Sequence, residues 1–177
     1  MIKMRRAWAM PDSETFNVKP IREFVGSYLT ESECSVDPFA RNCDLATHTN
    51  DINPDTTAQR HYDAGEYLGI LAACGVGADL IIFDPPYSPR QISECYQSIG
   101  MDVNTESTQN AALYSRVRDA MMSVLSPGGT VLSFGWNSGG MGRKRGFEIV
   151  EILLVCHGGA HNDTICMAER LIQESLF

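Results

Sequence analysis

The chain has 177 residues, 44% hydrophobic and 20% charged, with a formal net charge of −8. That length suits a single domain spanning residues 1–177 with a core of its own. No apolar run reaches the roughly 18 residues that a membrane helix needs, and the charged opening MIKMRRAWAM lacks the apolar core and cleavage site of a secretory signal, so a cytoplasmic protein with no membrane partner is expected.

Apolar runs alternate with helical patterns along the whole chain, the signature of an α/β fold with a mostly parallel sheet. The first helix is predicted over Lys19 to Leu29, with Pro20 in its first turn and Ile21, Phe24, Val25 and Tyr28 on one face. Short strands are predicted at Cys34 to Asp37, Ala46 to Ile52 and near Arg60 to Asp63, and a helix from Glu66 to Cys74 stopped by Gly75-Val76-Gly77. Asp79 to Phe83 is an apolar run of the kind expected of a central buried strand. A polar stretch from Tyr96 to Gln109 precedes a helix at Asn110 to Leu125, striped by Leu113, Val117, Ala120, Met121 and Val124. Ser126-Pro127-Gly128-Gly129 breaks it before a strand at Thr130 to Trp136. A glycine-rich loop over Gly135 to Gly146 then leads to strands Phe147 to His157 and Thr164 to Arg170, read as an antiparallel hairpin.

Ligands in open α/β sheets bind beyond the carboxyl ends of the strands. Asp84-Pro85-Pro86-Tyr87 stands there, directly after the most buried strand. Asp84 is an acceptor-only carboxylate, the two prolines stiffen the backbone and remove two N–H donors, and Tyr87 offers a flat face for stacking. An aromatic amino group could give one hydrogen to Asp84 and the other to the Pro85 carbonyl. That would hold its nitrogen against a methyl donor, so that positioning and electrostatics carry the reaction. The plain alternative is a rigid turn after a strand.

Taken with its neighbours, this tetrapeptide resembles the catalytic motif of the amino-methyltransferases, the DNA N6-adenine and N4-cytosine family. The resemblance extends over most of the chain. Lys19-Pro20 resembles the K-P segment ahead of that family's cofactor loop, and Asp37-Pro38-Phe39-Ala40 the opening of the loop itself. Asp51 fits the acid that takes the cofactor ribose, Asp63-Ala64 the acid beside its adenine, and Leu125 to Gly129 the turn before the fifth strand. Alone, Asp51 would cap a turn before Pro54 and Asp63 would cap the next helix. The resemblance implies a Rossmann-like class I methyltransferase fold, S-adenosylmethionine as cofactor, and transfer of methyl to an exocyclic amino nitrogen, foremost adenine N6 in DNA. Its minimal size suits a bacterial, viral or mobile-element enzyme acting in the host cell.

The chain departs from the family in three ways. Arg41-Asn42-Cys43 stand where Gly-Ser-Gly is usual. Asn42 is then the residue expected to take a left-handed turn, and Arg41 a partner for the cofactor's carboxylate. The connections after the first two strands are too short for helical crossovers, so a bare sheet face should find a second copy or a partner subunit. No target-recognition insert is present. The nearest candidates for nucleic-acid contact are residues 91–109 and the loop carrying Asn137, Arg143, Lys144 and Arg145. The acidic net charge opposes a long footprint on duplex DNA and keeps cytosine N4, RNA, a protein glutamine and a non-catalytic subunit open as alternatives. Lys3, Arg5 and Arg6 form a second small basic patch. Cys156, His157, His161 and Cys166 have zinc-ligand chemistry, but the adjacent Cys156 and His157 of a strand point to opposite faces, so no metal is expected.

Overall fold

The computed structural model describes residues 1–86, 93, 96, 97, 100, 110–159 and 161–172. Seven strands and three α-helices are laid out along them: β1 (Lys3–Trp8), α1 (Lys19–Leu29), β2 (Ser35–Asp37), β3 (His48–Thr49), α2 (Ala64–Ala73), β4 (Ala78–Phe83), α3 (Asn110–Met122), β5 (Leu125–Gly135), β6 (Phe147–Cys156) and β7 (Thr164–Leu171). Tyr87, nearly all of the polar stretch before α3 and most of the candidate segment 91–109 lie outside the described residues.

The strands form one sheet in the order β1-β6-β7-β5-β4-β2-β3. Every neighbouring pair is parallel except the two that involve β7, which runs antiparallel to both β5 and β6. The expected mixed sheet with its closing hairpin is therefore present. The carboxyl ends of six parallel strands share one edge, and the β6–β7 turn joins them there.

Alternation along the strands sorts the core into two layers. Leu80, Ile82, Leu132, Phe134, Leu153 and Val155 face α1, which brings in Ile21, Phe24 and Val25. Ile81, Phe83 and Val131 face α2 and α3, which bring in Leu68, Leu71, Val117 and Met121. Ile21, Phe24 and Val25 are 1%, 0% and 0% exposed. Full burial of each is worth about 1.5–3 kcal/mol, so the α1 face is a main source of cohesion. On α3, Val117 and Met121 of the predicted stripe are buried; the helix stops at Met122 rather than Leu125, so Val124, also buried, lies just beyond it.

Among the described residues, helical cover is thin on the side of the short connections. No helix lies between β2 and β3, and α1 is the α-helix packed on that face. The crossover from β5 to β6 is also made without an α-helix, by residues 136–146 with a single 3-10 turn at Arg143–Arg145. A buried carboxylate supports it instead: Glu169 of β7 accepts the backbone N–H groups of Met141 (2.6 Å) and Gly142 (3.0 Å). Gly140 packs so closely against the Glu169 carboxylate that a Cβ there would overlap it.

Two expectations need correction. The predicted second and third strands shrink to His48–Thr49 and one isolated bridge between Asn50 and Arg60. The N-terminal segment, read as a basic patch, is the edge strand β1, parallel to β6. Lys3 (3.3 Å) and Arg5 (2.6 Å) both pair with Glu151 of β6, which also accepts the Tyr28 hydroxyl. A charged edge strand of this sort resists pairing with other chains.

Candidate active site

A cavity of about 590 Å³ runs along the carboxyl edge of the sheet. The strand order explains its layout. On the β2–β3 side the wall is made by Phe39, Arg41, Asp51, Asn53, Asp63 and Ala64. Asp84, Pro85 and Pro86, at the end of β4, stand in the middle. On the far side are Trp136 after β5, the β6–β7 turn with His161 and Asn162, and the strap Pro11–Thr15 that follows β1. The first three residues of the motif thus lie at the end of the central strand and inside the cavity.

The acids are positioned by backbone groups. Asp51 is 6% exposed and accepts Arg41 N–H on one oxygen (3.1 Å) and Asn53 N–H on the other (2.9 Å). Asp63 caps α2 through Gly65 N–H (3.0 Å) and Glu66 N–H (3.4 Å), while the Tyr96 hydroxyl reaches its other oxygen (3.5 Å). Both local roles that the sequence suggests, a turn before Pro54 and a helix cap, are therefore real. They coexist with a place on the cavity wall, because a carboxylate has about four acceptor positions and these use only some of them.

Asp37, at the end of β2, is 1% exposed. One oxygen accepts Phe39 N–H (2.9 Å), and the other is buried with no hydrogen-bond partner. Burial pushes its pKa well above the usual carboxylate range; the Phe39 N–H opposes the shift, and the nearby Asp84 and Asp51 add to it. The charges of Asp84 and Asp51 thus reinforce what burial does at Asp37, favouring its neutral form.

Behind the motif the packing is aromatic. Phe83 meets Phe39 at 5.9 Å and Tyr114 at 6.3 Å between ring centroids, and the Arg118 guanidinium lies over Phe83 at 5.5 Å. The Tyr114 hydroxyl donates to the Pro86 carbonyl. Burial, partly offset by Arg118, pushes its pKa up to about 12, which keeps it a donor at neutral pH. Of the two proline carbonyls, that of Pro86 is therefore committed to the fold.

The structure separates some of the residues singled out from sequence. Lys19 and Pro20 open α1, but it is Val18 and Ile21 of that turn that line the cavity. The Lys19 side chain is 85% exposed and pairs with Glu23 at 3.8 Å. Pro38 lines the cavity, whereas Ala40 is buried and donates its N–H to the Asn50 carbonyl (2.8 Å). Arg41, not Asn42, adopts the left-handed backbone, with φ of 51°. Its guanidinium is taken by the strap, through the Ser13 carbonyl (2.8 Å) and the Glu14 carboxylate (3.2 Å). Asn137 follows Trp136 at the cavity edge, and its side chain accepts Gly139 N–H (2.8 Å). Arg143, Lys144 and Arg145 fall at the opposite edge, beside the amino ends of β5 and β6, where Arg145 pairs with Asp119 (2.8 Å).

Sequence reasoning missed the strap, Trp136 as a wall residue, and Asn50. Asn50 is fully buried, and its amide joins Pro38 (3.2 Å) to Tyr62 (3.0 Å), fixing the two loops that carry the acids. The strap had no signal, since β1 itself went unread. The His157 ring is held between the Ala9 carbonyl (2.7 Å) and the Thr164 hydroxyl (2.9 Å). Among the described residues no three His, Cys, Asp or Glu are grouped to hold a metal ion.

Solved structures share this architecture. SMU.776, assigned as a methyltransferase and solved with SAH, matches with a TM-score of 0.56 at 12% identity, over 84% of this chain and 49% of its own. The N-methyltransferase NodS from Bradyrhizobium japonicum, in complex with S-adenosylhomocysteine (SAH), matches at 0.53 and 12% identity, over 90% and 93%. The hypothetical protein TTHA0928 from Thermus thermophilus matches at 0.51 and 14%, over 92% and 91%. The chain spans about half the length of SMU.776. These likenesses establish the class I methyltransferase fold. No family model matches the chain, and no curated protein matches its sequence.

Proposed function

We propose that the chain is a methyltransferase that uses S-adenosylmethionine to methylate an exocyclic amino nitrogen, with adenine N6 in DNA as the acceptor. One observation carries the reading: Asp84-Pro85-Pro86 stands in the middle of the cavity, with an array of acids on one side. Similar folds in SMU.776 and NodS hold SAH, which supports the same cofactor here.

The residues present fit that cofactor. It carries a sulfonium and an ammonium group, and the wall offers Asp12, Asp51, Asp63 and Asp84 against Arg41, the one Lys or Arg among the described lining residues. Asp37 is not among the lining residues; it is buried behind this wall, with one oxygen that has no hydrogen-bond partner. Asp51 would hold the ribose hydroxyls, and Asp63 with Ala64 the adenine end. When bound, the cofactor supplies an electrophilic methyl group. Asp84 and the Pro85 carbonyl accept the two hydrogens of the acceptor's amino group, which orients the nitrogen lone pair and raises its electron density. A base inside a duplex would have to be flipped out to reach them. DNA contact near Asn137, at the cavity edge, and a second copy or partner subunit over the thinly covered sheet, belong to the same proposal; Arg143, Lys144 and Arg145, at the opposite edge of the sheet, are left out of it.

The alternative of a non-catalytic subunit draws on Arg41, which replaces a glycine of the cofactor loop and is engaged by the strap. Transfer of tritiated methyl separates the two readings. Wild-type protein should label unmethylated DNA at adenine, and Asp84→Ala should lose at least about 100-fold in rate while still binding SAH. SAH binding without label in DNA, RNA or a glutamine peptide would favour the subunit reading.

A further inference from the structure

The far half of the cavity, beyond Asp84, has no role in the reading above. We infer that Trp136 is the surface on which the planar acceptor stacks, an inference that rests on the methyltransferase reading. The register places it. β4 and β5 run parallel with Phe83 opposite Ser133, so Asp84-Pro85-Pro86 and Trp136 leave neighbouring strands at the same edge, and all four line the cavity. An amino group held by Asp84 and Pro85 directs the rest of its ring away from the acids, toward the β5 side. Trp136 meets it there, as a cavity-wall residue 44% exposed.

The platform is pre-set rather than floppy. The Asn137 side chain accepts Gly139 N–H (2.8 Å), Arg118 donates to the Gly139 carbonyl, and Glu169 accepts the Met141 and Gly142 N–H groups. A half-open indole on a pinned loop loses little conformational freedom when a ring settles on it. His161 and Asn162, which line the same side of the cavity, can hydrogen-bond the edges of such a ring.

The chain has two tryptophans, so Trp8→Phe leaves Trp136 as the sole indole. In that background, with SAH at saturation, adenosine and a short single-stranded deoxyadenosine oligonucleotide should each quench fluorescence saturably. Trp136→Ala should raise KM for the oligonucleotide between about 5-fold and 100-fold, Trp136→Phe should recover most of it, and titration with SAH should be unchanged in both. If wild-type protein binds SAH yet neither probe perturbs Trp136 and Trp136→Ala keeps its KM within about twofold, the stacking role is overturned and the methyltransferase reading stands. A loss of SAH affinity in Trp136→Ala as large as the loss of substrate affinity would also overturn it. Failure of wild-type protein to bind SAH overturns the methyltransferase reading and this inference together.

Discussion

Replacing Glu169 by alanine tests how the chain crosses from β5 to β6 without an α-helix. Glu169 is 2% exposed, and its two oxygens accept Met141 N–H at 2.6 Å and Gly142 N–H at 3.0 Å. Each hydrogen bond to a charged group contributes about 1.5–3 kcal/mol, and the alanine variant leaves both donors without their partner, one of them buried. The expected loss is about 3–5 kcal/mol. A domain of this size shifts by about 2–4 °C per kcal/mol, which predicts a fall of roughly 10 °C in Tm. Glu169→Gln retains one good acceptor and turns an NH2 toward the second N–H, so it should fall between the two. Differential scanning calorimetry gives the magnitude, and hydrogen exchange at Met141 and Gly142 shows whether the loop opens locally. If Glu169→Ala melts within about 1 °C of wild type and neither amide exchanges faster, the carboxylate does not hold the crossover and the preorganisation argued for Trp136 fails.

Two further predictions concern the frame and the acids. Gly140→Ala should cost at least about 1–3 kcal/mol, because its Cβ would overlap the Glu169 carboxylate and approach the Met167 methyl to 2.7 Å; Gly26→Ala in α1 meets nothing within 4 Å and should raise Tm slightly, and equal shifts in urea midpoint would refute the packing argument. The pKa of Asp37 is raised by burial, with Asp84 and Asp51 adding to it, so the native state binds a proton that the unfolded chain releases; the resulting stability is full below the unfolded carboxylate pKa, near about 4, and is lost as pH rises through the folded value. Asp37→Asn should therefore melt higher than wild type at pH 8 and about level with it at pH 4, and parallel Tm curves across that range would contradict the assignment.

The middle of the site was legible because two independent signals met there. An apolar run, Asp79 to Phe83, marked the central strand, and the rigid Asp84-Pro85-Pro86 followed it. Asp51 and Asp63 were legible by order along the chain, and their local roles as turn and helix caps did not compete with a place on the wall. The far side was not legible, since it depends on contacts across long stretches of sequence. β1 reads as a basic tail because its partner Glu151 lies 148 residues from Lys3 and 146 from Arg5. With β1 unread, the strap over the cavity was invisible. The glycine run after Trp136 looked like a flexible phosphate-contacting loop, but Glu169, 28 residues beyond Met141, turns it into a pinned crossover. It also carries Arg143 to Arg145 away from the cavity. At Arg41 the left-handed backbone that glycine normally supplies is taken by an arginine, and the hydrogen bond from its N–H to Asp51 helps to fix it there.

The account turns on the acidic half of the cavity as a cofactor site. Isothermal titration of SAH into wild-type protein and into Asp51→Ala tests it most directly. Saturable binding to the wild type, weakened at least about tenfold in Asp51→Ala with the fold intact by circular dichroism, is the result predicted. No binding to the folded wild-type protein, or equal affinity in the two, would contradict it.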